Sequence, residues 1–270
     1  MTRRSWFGLV ALLATLITLA FLVIPILAIF INASPGELLN ALGEESAREA
    51  LWLSLRTTLI AIAIIVVLGT PAAYLLAMRD FRGRALVLTL VELPLVVPPA
   101  VAGIALLATF GPQGILGSAV ADAGIELVFQ TAGVVVALVF VAAPFFLRQA
   151  IAAFAAVDRR QLEASRTLGA GAFRSFLTVA VPSARPGLSS GVALAWGRAL
   201  GEFGATLMFA GSLQGVTQTA PLAIFAEFSA PGGFVAALAL SAVLIMVSAV
   251  LLISVKLIGG DLAREGKARL

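Results

Sequence analysis

Six long apolar runs, separated by short polar stretches, organise this chain. They cover roughly residues 7–31, 51–77, 85–109, 131–154, 187–210 and 234–258. Each is long enough for a helix to cross a hydrocarbon core of roughly 30 Å, which takes about 20 residues. Only helices and closed barrels satisfy their backbone groups in lipid, and the strict alternation of barrel strands is missing here. The pattern predicts an all-α membrane protein of about six transmembrane helices, forming one domain over residues 1–270. The first run follows Arg3 and Arg4, as the apolar core of a secretory leader would. It is longer than such a core and no small-x-small cleavage site follows, so it is read as a retained helix.

Composition agrees. The chain is 61% hydrophobic and 12% charged, with a mean hydropathy of +1.08, whereas a soluble domain carries roughly 25% charged residues. It has no cysteine and no histidine. This excludes disulfides, a thiol nucleophile, a zinc site of the usual ligands and a Ser-His-Asp triad. A net charge of +4 would suggest nucleic acid in a soluble protein, but here the basic residues sit between apolar runs. Fifteen of the 18 fall at the N-terminus (Arg3, Arg4), after the second run (Arg79, Arg82, Arg84), after the fourth (Arg148, Arg159, Arg160, Arg166, Arg174, Arg185) and at the C-terminus (Lys256, Arg264, Lys267, Arg269). The alternate loops hold Arg48 among Glu37, Glu44, Glu45, Glu49, Asp122, Glu126 and Glu227. Basic loops stay in the cytoplasm, so both termini are expected there, in a multi-pass protein of the inner (plasma) membrane. The tail 259–270 reads as a solvated basic segment.

The longest cytoplasmic connection is residues 155–186. Asp158 is placed to cap a helix, with Gln161 at the third helical position in a capping-box arrangement. Gly169 suits the left-handed conformation that ends one. A short helix of about ten residues is expected between them, then an amphipathic turn with Phe173, Phe176 and Leu177 up to Pro182. Pro186 is placed to begin the next helix. A short surface helix of this kind suits a groove on a partner.

Glu163-Ala164-Ser165, Gly169 six residues after the glutamate, and Val179-Ala180-Val181-Pro182 resemble the Glu-Ala-Ala loop of the permease subunits of ATP-driven (ABC) importers, with Ser165 and the two valines as mild departures. The resemblance implies a type I importer permease fold. It also implies that residues 158–170 are a coupling helix inserting into a cytoplasmic ATPase, with Asp158, Glu163, Ala164, Ser165, Gly169 and Pro182 as its coupling residues.

In the fifth run, Gly187 and Gly191, and Gly197 and Gly201, are spaced for close helix approach. Arg198 and Glu202 are also four apart. An ionisable residue within a span points to function, although a self-neutralising pair also locks helix packing. Gly201-Glu202-Phe203-Gly204-Ala205-Thr206, followed by Thr217-Gln218-Thr219-Ala220-Pro221-Leu222, resembles molybdate permeases, with sulfate and tungstate permeases as near relatives. The third run holds Glu92, Pro94, Pro98 and Pro99. Prolines there break the helical ladder, either as a plain kink or as a marker of a transport path. Glu92, Pro94, Pro98, Pro99, Arg198, Gly201, Glu202 and Thr206 are therefore candidates for the path. Gly103, Thr217, Gln218 and Thr219 are candidates for an external gate.

No phosphate-binding Gly-x-x-x-x-Gly-Lys motif occurs. Yet importing a dianion against an inside-negative potential of 100 mV costs about 4.6 kcal/mol. The energy is expected from a partner. The resemblance implies two ABC ATPase chains that use ATP and Mg, a soluble oxyanion-binding protein outside and a second copy of this chain. No cofactor is expected on the chain itself, and its remaining partner is membrane lipid, with no nucleic acid. The expected role is molybdate import without enzymatic activity. Sulfate, thiosulfate or tungstate is the nearer alternative, and an energy-independent channel the more distant one.

Overall fold

The computed structural model describes residues 3–268. Arg269 of the basic tail lies outside the described residues. All the regular elements described are helical. The first is α1 (Arg3–Asn32), followed by α2 (Pro35–Gly43) and α3 (Glu45–Met78). α2 is fixed by a full capping box: the Ser34 hydroxyl accepts from the Glu37 N–H, and the Glu37 carboxylate accepts from the Ser34 N–H at 2.7 Å. The third apolar run is α4 (Arg84–Val96) and α5 (Pro99–Phe110), and α6 (Gly117–Asp122) leads to α7 (Thr131–Ala155). Then come α8 (Arg159–Thr167), α9 (Ala172–Ser175), a π turn (Phe176–Ala180) and α10 (Val181–Leu200). The chain closes with α11 (Gly204–Ala210), α12 (Ala220–Ser229) and α13 (Phe234–Ala268).

Helix α7 is the spine. It packs along α3 and α10, and the core there holds Ile62, Ile65, Leu138, Phe146, Phe154, Ala184 and Ala195. Small residues set the distances. Gly187 on α10 rests on Ala153, and a methyl on Gly191 would stand 3.2 Å from Phe146 and Gln149. The second expected pair does not make such a contact within the chain. Gly197 has nothing within 4 Å, and Gly201 meets only its own helix.

Four described helices are long and apolar enough to cross a membrane: α1 (from Trp6), α3, α7 and α13 (to Val255), or five if α4 and α5 count as one broken span. Two expected spans depart from a straight helix. The run 85–109 breaks between α4 and α5 with a bend of 117°. Val97 and Pro98 are both extended (ψ 126° and 138°), because a residue before proline is driven out of the helical region and neither proline donates a backbone bond. Pro99 then opens α5, a position where its missing N–H costs nothing. The run 187–210 also divides. α10 ends at Leu200, and α11 resumes at Gly204. Polar residues such as Ser183, Arg185, Ser189, Ser190 and Arg198 keep α10 less apolar than the long spans.

The connection 155–186 is shorter than expected. Residues 172–200 run on as one helical path through the π turn, and Pro186 lies inside α10 instead of starting it. The turn widens just ahead of Pro182, where the Val181 N–H reaches back to the Phe176 carbonyl. An ordinary turn would set the Pro182 ring against the carbonyl four residues earlier.

Candidate functional site

The first candidate region is α8 and the turn after it. Asp158 Oδ1 accepts from the Arg160 N–H at 2.9 Å and caps the helix. The reciprocal half of the expected capping box does not form, because the Gln161 side chain turns to the Ser183 hydroxyl on α10 (3.5 Å). The far end closes as expected. Gly169 is left-handed (φ +84°), its N–H bonds the Arg166 carbonyl and the Ala170 N–H bonds the Ser165 carbonyl. This paired pattern takes up the last carbonyls of a helix.

One side chain of α8 is buried, Leu162, within the core of Phe154, Val157, Ala180 and Ala184. The others face outward or lie half-buried. Glu163 and Ala164 are exposed. Leu168 and Phe173, on either side of Gly169, are 88% and 73% exposed. Arg159, Arg160 and Arg166 on α8 and Arg174 on α9 are exposed as well. Among the described residues the sole ion pair is Arg198–Glu202, and neither these guanidinium groups nor the Glu163 carboxylate has an ionic partner among those residues. The segment thus presents two exposed apolar side chains and four exposed arginines, with one leucine of α8 buried.

The second region joins the two broken runs. α5 packs against α11. A methyl on Gly103 would stand 2.6 Å from Met208 Cβ and 2.7 Å from the Ala205 carbonyl. Gly103 is thus a packing contact between the two half-helices. The segment after α10 is fixed by Glu202, which is 1% exposed. Its Oε1 accepts from the Ala205 N–H at 2.6 Å, and its Oε2 meets Arg198 at 2.6 Å at an angle that makes the contact ionic without a hydrogen bond. The carboxylate thereby ties the end of α10 to the start of α11. Thr206, one turn on, is buried with its hydroxyl unpartnered.

Gly201 and Phe203 open on an apolar cavity of about 510 Å³ shared with Pro221, Phe225, Phe228 and Leu238, none of them charged. Such a wall holds no strong anion site. The remaining candidates are spread out. Glu92 is exposed on α4, Pro94 is half-buried there, and Pro98 and Pro99 are exposed at the bend. Thr217 is buried, with its hydroxyl accepting from the Leu213 N–H at 2.9 Å, and thus closes a turn. Gln218 reaches Ser212 at 3.4 Å. Thr219 is buried at the start of α12 with its hydroxyl unpartnered.

Some structural residues gave no sequence signal. The Ser54 hydroxyl on α3 accepts from the Ala220 N–H at 2.7 Å, holding the start of α12. The Trp196 indole donates to Thr58 at 3.2 Å. Phe129 takes a left-handed conformation (φ +59°) beside Gly211, where a methyl would stand 2.8 Å from its ring.

A family model described as "Binding-protein-dependent transport system inner membrane component" matches residues 69–260. This chain belongs to that family. It is an ABC importer permease component of the inner membrane and not an enzyme. Its curated relatives include the molybdenum transport system permease protein ModB of Mycobacterium tuberculosis, 39% identical over 88% of this chain and 89% of that protein. They also include the sulfate transport system permease protein CysW of Synechocystis, 36% identical over 80% of this chain and 79% of that protein. Among solved structures, a bacterial ABC transporter that imports the acidic polysaccharide alginate superposes with a TM-score of 0.75, at 16% identity, covering 97% of this chain and 96% of that one. That likeness shows the fold: a type I importer permease.

Proposed function

We propose that this permease imports molybdate, docks its cytoplasmic ATPase through α8, and receives cargo from a soluble binding protein on the opposite side. The observation that carries the docking is the exposure of Leu168 and Phe173 together with Glu163, presented at one end of α7 on and beside a capped, nine-residue helix. Exposed apolar residues set among polar ones mark protein contacts. This end holds the arginine-rich loops, and the positive-inside tendency supports its lying in the cytoplasm with both termini. Two copies are proposed to form the path between them. ATP and Mg act on the partner ATPase, and this chain supplies no cofactor.

Molybdate is favoured over sulfate because the molybdenum relative aligns at higher identity over more of the chain. The uncharged cavity beside Gly201 and Phe203 supports a path that lets the dianion go easily, with selection made by the binding protein. Glu92, Pro94, Pro98, Pro99, Arg198, Gly201, Glu202 and Thr206 are assigned to the moving junction of the path, and Thr217, Gln218 and Thr219 to its outer gate. Movement between outward-open and inward-open forms is a shift of populations biased by ATP and by the loaded binding protein.

The test is ATP hydrolysis by the reconstituted permease–ATPase complex with binding protein carrying molybdate, tungstate or sulfate. Stimulation by molybdate and not by sulfate supports the cargo. Stimulation by sulfate alone replaces it, and failure to form a complex through α8 removes the docking assignment.

A further inference from the structure

The attachment of α8 to the membrane bundle is sparse. Its principal contacts are α9 and the π turn. They are made by one buried side chain, Leu162, and by a hydrogen bond between the hydroxyls of Ser165 and Ser175 at 2.7 Å. Ser175 is completely buried, and Ser165 is the one bond its hydroxyl makes. The Ser165 hydroxyl also donates to the Leu162 carbonyl at 2.9 Å. A serine hydroxyl has a single proton. With that proton spent on Leu162, Ser165 accepts from Ser175. The contact is then one link in a short chain of hydrogen bonds from Ser175 through Ser165 to the Leu162 carbonyl.

We infer that Ser165 and Ser175 are positioning residues that latch α8 to the helical path of residues 172–200, so that displacement of α8 reaches Arg198 and Glu202 undiminished. A leucine in an apolar pocket resists removal but tolerates rotation, because burial is non-directional. A hydrogen bond fixes distance and angle. Without the serine bond, α8 is held by Leu162 and by the long Gln161–Ser183 contact at 3.5 Å, and is freer to rock. With that bond, one turn on from Leu162, it moves as one body with α9, the π turn and α10. The π turn is continuous with α10, whose last turn carries Arg198. The inference rests on the reading of α8 as the ATPase contact, which gives the latch its load.

The test uses the full chain in lipid. Because the chain has no cysteine, Thr167→Cys on α8 and Arg185→Cys on α10 give two defined spin-label sites. The distance between the labels is expected to be narrowly distributed, and to stay so when the ATPase complex is trapped with ATP. In the Ser165→Ala/Ser175→Ala background it is expected to broaden at least two-fold. Equal widths in the two backgrounds overturn the latch, as does a shift of several ångströms in the serine form on ATP trapping. The second readout is molybdate taken up per ATP hydrolysed by the complete transporter. Ser165→Ala leaves the buried Ser175 hydroxyl unmatched and is expected to lower thermal stability, whereas in Ser175→Ala the Ser165 hydroxyl keeps its Leu162 bond and the loss is expected to be smaller. The double variant removes both groups and is expected to recover stability, since loss of both partners leaves nothing unsatisfied. Its uptake per ATP is expected to stay at least three-fold down. Recovery of that ratio together with stability overturns the latch. Absence of molybdate uptake by the serine form counts against the cargo reading, while the label widths still decide the latch.

Discussion

Gly204 packs so closely on Pro99 that a methyl group on its α-carbon would stand 2.9 Å from the proline Cβ. This contact places the second half of one broken run on the second half of the other. Gly204→Val and Gly103→Val are expected to destabilise the chain by about 1–3 kcal/mol each through overpacking, measured by unfolding in detergent. Gly197→Ala, with nothing within 4 Å, is expected to be neutral or more stable by up to about 1 kcal/mol. Equal losses in all three would refute the close approach of α5 and α11.

The Arg198–Glu202 pair is expected to behave as a unit. Removing the carboxylate in Glu202→Ala leaves Arg198 and the Ala205 N–H without it, at a cost of about 3–5 kcal/mol. Arg198→Met/Glu202→Met removes both charges and is expected to regain most of that loss. A double-mutant cycle on thermal unfolding, scored beside uptake, measures this. A double variant as unstable as Glu202→Ala would show that the charges are not coupled.

At the docking helix, stability and coupling are expected to separate. Glu163→Ala removes an exposed carboxylate with no ionic partner among the described residues and should change stability by no more than about 0.5 kcal/mol, while lowering ATP-driven uptake. Gly169→Ala meets no atom within 4 Å, so its cost is the left-handed backbone alone, about 1–2 kcal/mol, with asparagine better tolerated. Normal uptake in Glu163→Ala and Gly169→Ala would remove α8 from the coupling path.

The capping box of α2 is expected to respond to acid. The Ser34 N–H, and then its hydroxyl, hold the Glu37 carboxyl below the usual carboxylate range. A lowered folded value means that the ionised form is the one that caps. The contribution is present above the unfolded value and disappears as pH falls through the folded one. Amide-exchange protection factors in residues 37–41, with the intrinsic pH dependence divided out, should therefore fall on acidification below about pH 4, and Glu37→Gln should flatten that dependence. An unchanged pH profile in Glu37→Gln would show that this carboxylate is not the titrating cap.

The parts of the fold that were legible in sequence depend on residue type at a fixed offset. Asp158 and Gly169 bound α8 because a short acceptor and a left-handed glycine have few other uses at that spacing. The apolar runs announced long helices but not their direction, since hydropathy is the same on both sides of Val97 and says nothing of a 117° bend. Pro98 and Pro99 marked the place and left the angle to packing against α11. The ties across the chain were silent. Ser54 and Ala220 are 166 residues apart, and a serine facing another helix looks like any serine in a span. Phe129 is not a residue type that favours positive φ. Its conformation follows from its neighbours, with Thr131 bonded to the Val216 carbonyl at 2.8 Å and Gly211 leaving room for the ring.

The five residues of the π turn act as a phase-setter for everything downstream. One residue more or less in an α-helix rotates the following faces by about 100°. Deleting one residue between Phe176 and Ala180 would leave α10 almost as long, yet swing Gly187 and Gly191 off α7 and carry Arg198 to a different azimuth. In this stretch, chain length is a rotational setting, and an insertion or deletion there re-aims the far end of the helix without touching it.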